Sequence, residues 1–182
     1  MKNLGTKRLE TDRLVLRRFV IEDAMDMYQN WASDPEVTKF LTWPVHADVE
    51  TSKSILQDWI KRYDNDNFYN WAIELKETKE VIGNISVVKL NETTEAADMG
   101  YCMGQKWWGQ GIMPEALGEV MAFLFDEVEL NRVAACHDSN NPKSGRVMEK
   151  AGMKYEGVWR MAGKNNRGIC DEVWHAALKD DV

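Results

Sequence analysis

Two glycines separated by one residue, Gly109 and Gly111 in KWWGQGIMPEA (Lys106 to Ala116), stand directly before the strongest helical pattern in the chain. The first N–H groups of a helix have no partner inside it. Taking Pro114 as the first helical residue makes Met113 the N-cap, and a methionine side chain accepts no hydrogen bond from those donors. They are then free for an anion such as a pyrophosphate, which the helix dipole also favours. A tight turn whose donors face water, with Glu115 supplying the first-turn negative charge, fits the same spacing. The common phosphate loops do not: G-x-x-x-x-G-K-[ST] is absent, and G-x-G-x-x-G would need a glycine at Pro114. His46, His137 and His175 fall on different elements, and Cys102, Cys136 and Cys170 show no C-x-x-C spacing. Neither a metal site nor a disulfide framework is expected.

Those residues need a scaffold, and hydrophobic periodicity supplies one. LVLRRF (Leu14 to Phe19) reads as a strand, Ile21 to Ser33 as a helix with Ala24, Met27, Tyr28 and Trp31 on one face, and Asp48 to about Tyr63 as a second helix. NWAIEL, VIGNISVVKL and ADMGYCM form a meander. A helix from Pro114 to about Val128 follows, with Leu117, Val120, Met121, Leu124 and Val128 at steps of three and four. RVAACH (Arg132 to His137) is the next strand, Asn141 and Pro142 open a helix that stops at Gly152, and MKYEGVW and EVWHAAL close the chain. The strand, helix, strand passage from Ala97 to His137 can make a parallel crossover, so a mixed α/β (α+β) sheet flanked by helices is expected.

A chain of 182 residues with 44% hydrophobic side chains fits one domain, placed at residues 8–180. A net charge of -7 argues against nucleic-acid or anionic-membrane surfaces, and no apolar run reaches the roughly 20 residues of a membrane span. Without a signal-peptide pattern at the N-terminus, a cytoplasmic location is expected.

K-x-x-G-x-G followed by IMPEAL resembles the acetyl-CoA loop of the GNAT N-acetyltransferases. T-x-R-L-x-L-R (Thr11 to Arg17), ADMGYCM, and a block of Asn141, Ser144, Lys150, Gly152 and Met153 are similar to the branch that includes the ribosomal-protein alanine N-acetyltransferases. The resemblance covers about the whole chain. It implies a sheet of about seven strands and about four helices, splayed between two parallel strands, and acetyl-CoA as co-substrate without a metal. Cofactor contacts would fall on Met103, Lys106, Trp108, Gly109, Gln110, Gly111, Ile112, Met113, Asn141, Ser144 and Lys150, with a backbone N–H at Cys102 or Met103 polarising the thioester carbonyl. Asp98 would take the amine proton, with Glu115, Asp171 and Glu172 as lesser candidates, and Ser144 would assist the departing thiolate. The sequence departs from the family at Lys106, where arginine or glutamine is usual, at Pro114, and at Met148, where many members carry a tyrosine that protonates the thiolate.

The acceptor is expected to be a primary amine, foremost a protein N-terminal α-amine attacked directly in a ternary complex. A small amine, or a non-catalytic acyl-CoA-binding module, are the alternatives. Trp43 to Val49 and Arg160 to Gly168 are read as the loops that build the acceptor pocket. A homodimer is expected, with EVWHAAL as the edge strand that invites pairing.

Overall fold

A computed structural model describes residues 1–181. Eight strands form one mixed sheet: β1 (Leu9–Glu10), β2 (Leu14–Arg17), β3 (Asn70–Leu75), β4 (Val81–Asn91), β5 (Ala96–Met103), β6 (Arg132–Asp138), β7 (Lys154–Asn165) and β8 (Gly168–Leu178), in the order β1-β2-β3-β4-β5-β6-β8-β7. All neighbours are antiparallel except β5 and β6. The helices are α1 (Ala24–Met27), α2 (Pro35–Thr38), α3 (Val49–Arg62), α4 (Ile112–Asp126) and α5 (Pro142–Lys150). Among the described residues, no helix is long and apolar enough to cross a membrane.

Strand alternation divides the core into two layers. Trp71 and Ile73 of β3 join α4 residues Leu117, Val120 and Leu124 in one cluster, whereas Ala72, between them, joins Phe19, Trp31 and Leu56 in a cluster under α1 and α3. Each half of the sheet's surface is thus assigned by residue parity. The antiparallel meander is closed by local chemistry: Asn91 Oδ1 accepts from the N–H groups of Thr93 and Thr94 in the turn between β4 and β5.

The expected fold stands, with corrections in detail. The eighth strand, β1, is two residues long and leaves no periodic signal. The helix expected from Ile21 to Ser33 breaks into a 3-10 turn, α1 and a π-helical turn at Tyr28–Ala32. That segment is pinned to the start of β4, where Asp26 accepts from Val81 N–H and Asn30 donates to Val81 O. Arg160 to Gly168 is not a loop: β7 and β8 run as one long hairpin, with only Asn166 and Arg167 between them. EVWHAAL lies in β8, paired on both sides by β6 and β7, so the exposed edge of this end of the sheet is β7.

Gly104, at the exit of β5, packs its Cα against another chain segment: a Cβ there would sit 2.2 Å from Asn30 O and 2.7 Å from the Trp107 ring. Gly118 in α4 would meet nothing within 4 Å. Gly104→Ala should therefore destabilise the fold by about 1–3 kcal/mol, and Gly118→Ala should stabilise it by about 0.5–1 kcal/mol, as read from urea unfolding midpoints.

Candidate active site

β5 and β6 stay together for four residues and then part. Ala96–Met99 pair with Arg132–Ala135, after which β5 continues along β4 and β6 along β8. Gly100 to Met103 therefore face Cys136 to Asp138 across an opening with no ladder between them. Gly104 N–H bonds Ile82 O on the β4 side. By alternation, the N–H and C=O of Met103 point away from β4, and Trp108 Nε1 takes that carbonyl at 2.7 Å. The Met103 N–H, one of the two expected for polarising a carbonyl, faces the opening; Cys102 N–H faces β4.

The loop after β5 is fixed from several sides. Trp107 is buried in the core, Gln110 Nε2 donates to Lys106 O at 2.9 Å, and Arg13 Nη1 donates to Gln110 O at 3.0 Å. Gly109 and Gly111 have φ of 78° and 74°, a left-handed backbone that favours glycine. Space is not the reason, since a Cβ on Gly109 would meet nothing within 4 Å. The helix starts at Ile112, not Pro114, so Gly111 is the N-cap and has no side chain to cap with. Glu115 N–H makes the first helical bond, to Gly111 O, so the N–H missing from Pro114 has no partner to lose. Among the described residues, the N–H groups of Gly109 to Met113 find no acceptor. The Ile112 and Met113 side chains are buried, leaving only their backbones available.

The T-x-R segment of the N-terminus holds this helix entrance. Thr11 Oγ1 donates to Glu115 Oε1 at 2.5 Å, and Arg13 reaches Glu115 Oε2 through Nε at 2.7 Å and Nη2 at 2.6 Å. Burial pushes the Glu115 carboxyl up, but the hydrogen bonds from Thr11 and Arg13 outweigh it and hold the pKa below its usual 4.5. Glu115 is a clamp and a poor base. Arg17 plays the same part deeper in, bridging Asp23 at 2.8 Å and Glu74 at 2.6 Å.

Across the opening, Tyr101 Oη of β5 lies 3.0 Å from both Oγ and the carbonyl oxygen of Ser144 in the first turn of α5. Tyr101 shares its face of β5 with Met99 and Met103 of the α4 cluster, so Asp98 lies on the other face. Asp98 is half-buried in the paired part of β5. Burial raises its pKa, partly offset by Lys89 and Arg132. Ser144 and Asp98 thus sit on opposite sides of the sheet, Asp98 one residue inside the last paired position, Met99. Asn141 is the N-cap of α5, yet its side chain makes no cap bond, which frees it. Lys150, in the last turn of α5, borders a surface cleft together with Pro114, Glu115, Gly118 and Glu119 of α4. The Lys106 ammonium stands over the Trp107 ring, 3.9 Å from Glu80. Met148 is buried in the α4 cluster. Asp171 accepts from Met161 N–H and Glu172 from the Trp174 indole, and Glu172 pairs with Asp138 at the β6 edge.

Spacing alone does not reveal the Arg13 clamp, the contact of Tyr101 with Ser144, or Lys143, whose Nζ lies 5.2 Å over the Trp108 ring beside the loop. An i, i+1 pair of polar residues after Pro142 carries no signal of what faces it. The two segments read as acceptor loops do meet: Asn166 N–H bonds Leu41 O, and Asn166 Nδ2 bonds Thr38 O and Trp43 O at 2.9 and 2.7 Å. The hairpin tip is clasped to the α2–α3 connection on the Asp98 side of the sheet. Among the described residues, no group of three His, Cys, Asp or Glu side chains is placed to hold a metal.

The family model of the GNAT acetyltransferase domain matches residues 13–154. The chain belongs to the GNAT family. As a GNAT protein it is an acetyl-CoA-dependent N-acetyltransferase, which removes the reading as a non-catalytic module. An uncharacterized N-acetyltransferase of Bacillus licheniformis is 30% identical over 171 residues, 94% of this chain and 96% of its own. The ribosomal protein uS5 alanine N-acetyltransferase of Escherichia coli is 31% identical over 165 residues, 85% of this chain and 82% of its own. A solved probable acetyltransferase superposes with a TM-score of 0.85 at 25% identity, covering 97% of this chain and 99% of its own.

The clamp makes a pH prediction for this GNAT chain. Because the folded-state pKa of Glu115 is depressed, its ionised form adds stability above about pH 4.5 and loses it as the pH falls through the folded value. Glu115→Gln should lower unfolding stability by about 1 kcal/mol at pH 7. The gap from wild type should narrow progressively as the pH falls below 4.5 in urea titrations.

Proposed function

We propose that the chain transfers acetyl from acetyl-CoA to a protein N-terminal α-amine by direct attack in a ternary complex. The observation that carries this reading is the parting of β5 and β6 beside a helix entrance whose amides, Gly109 to Met113, have no acceptor of their own. Unpaired N–H groups at a helix N-terminus suit the pyrophosphate of the cofactor, and Lys143 adds a positive charge nearby. Acetyl-CoA supplies the activated acetyl thioester. Met103 N–H is aimed to hydrogen-bond the thioester carbonyl as charge develops on its oxygen. Asp98, with its pKa raised by burial, takes the proton of the attacking amine from the opposite face, directly or through water. Ser144 hydrogen-bonds the departing sulfur, and Asn141 offers its free side chain to the pantetheine arm. Placing base and leaving-group partner on opposite faces lets the amine and the cofactor enter from opposite sides.

The relative that acetylates the alanine of ribosomal protein uS5 supports a protein N-terminus as the acceptor. A small amine is the second reading, favoured by the Asn166 clasp, which closes one end of the face carrying Asp98. Thiol release should be measured with acetyl-CoA, peptides beginning with alanine or serine, and a panel of small amines. The proposal expects peptide turnover, with Ser144→Ala lowering kcat by roughly ten- to a hundredfold at acetyl-CoA affinity within a factor of a few. Asp98→Asn should lower kcat at least as far. Turnover confined to small amines would replace the acceptor.

A further inference from the structure

Among the described residues, the hydrogen bonds between the β5 arm and α5 all run from Tyr101 to Ser144, two residues beyond the last paired residue of β5, Met99. We propose that Tyr101 is a positioning residue for Ser144, holding the serine across the opening so that its hydroxyl proton can turn toward the cofactor's sulfur. This rests on the function proposed above.

The chemistry follows from counting donors. A phenol and a serine hydroxyl carry one proton each, and three oxygens meet: Tyr101 Oη, Ser144 Oγ and Ser144 O, with Oη 3.0 Å from both of the others. In one arrangement Tyr101 donates to the Ser144 carbonyl and accepts from Oγ, so the serine proton is occupied. In the other, Tyr101 donates to Oγ, and the serine proton is free. Both use the same heavy-atom positions, so the change requires only rotation of two hydroxyls. A sulfur gaining negative charge draws the pair into the second arrangement. No proton leaves the pair: the C–S bond breaks, sulfur keeps the electron pair, accepts a hydrogen bond from Ser144, and later takes its proton from water. Burial pushes the Tyr101 phenol well above its usual value of 10, so it remains a donor throughout. Met148, locked in the core, brings no hydroxyl to the opening.

The test needs no acceptor. Affinity for free CoA is measured by calorimetry from pH 7 to 9.5, with desulfo-CoA as the reference. The reference removes the contributions of Lys143, His137 and other groups beside the opening, which act on both ligands. Cys136, on the β6 edge of the opening, is pushed up by burial to about 12 and stays protonated. A thiol of pKa about 8.5 ionises across this range, and a hydrogen bond to its thiolate should raise wild-type CoA affinity about tenfold relative to desulfo-CoA. Ser144→Ala should abolish the rise, Tyr101→Phe should cut it at least threefold, and the double variant should match Ser144→Ala alone. A wild type without the rise, a Tyr101→Phe protein that keeps it in full, or a double variant reduced below Ser144→Ala would each overturn the proposal. Should Tyr101→Phe not fold, the Tyr101 ring resonances serve instead: CoA must shift them in wild type and not in Ser144→Ala, and equal shifts in both overturn it. A chain that binds CoA but releases thiol to no amine overturns the proposed function alone; one that binds no CoA overturns both.

Discussion

Everything at the site depends on β5 and β6 ceasing to pair after Met99 and Ala135. A parallel ladder satisfies backbone groups on both strands, and ending it leaves donors and acceptors along two strand edges in the middle of a sheet. The fold holds them apart by committing each strand elsewhere: β5 to β4 as far as Gly83 and Met103, and β6 to β8 as far as Asp138 and Glu172. Trp108, reaching back to Met103 O, fills one of the vacated positions from the loop that follows. The opening is therefore built by the sheet and trimmed by the loop.

The second constraint is the direction from which each arm is braced. The N-terminal strands fasten the helix entrance through Thr11, Arg13 and Glu115, while Asp138 fastens the turn before α5. Burial pushes Asp138 up, yet hydrogen bonds from Asn140 and Asn165 hold it below its usual value, so it stays an acceptor that ties β6 to the hairpin. One arm is braced by the start of the chain and the other by its end. Point changes in either brace should thus be felt at the opening without touching it.

Much of this was legible in the sequence because it is local. The α4 stripe, the helix from Asp48, the meander and the glycine pair each depend on residues within a turn or two of one another. A helix start at Pro114 falls two residues late, because the left-handed Gly111 already ends the loop and Pro114 sits where its missing N–H has no partner to lose. The hairpin was shortened because Gly157 and Gly163 sit at bulges and Met161 takes a left-handed φ of 51°, which breaks the strand alternation. What the sequence could not carry were meetings between distant segments: Arg13 with Gln110, Tyr101 with Ser144, Asn166 with Trp43. Such pairs have no spacing to recognise, since their geometry is set by the sheet order.

On this reading, the free amides at the α4 entrance and the parted edge of β5 form one cofactor slot. Amide hydrogen exchange with and without acetyl-CoA tests it most directly. The account predicts new protection of Gly109 to Met113 and of Tyr101 and Met103, with little change in the Leu14–Arg17 strand. Unchanged exchange at Gly109 to Met113, with protection appearing at another surface, would contradict it.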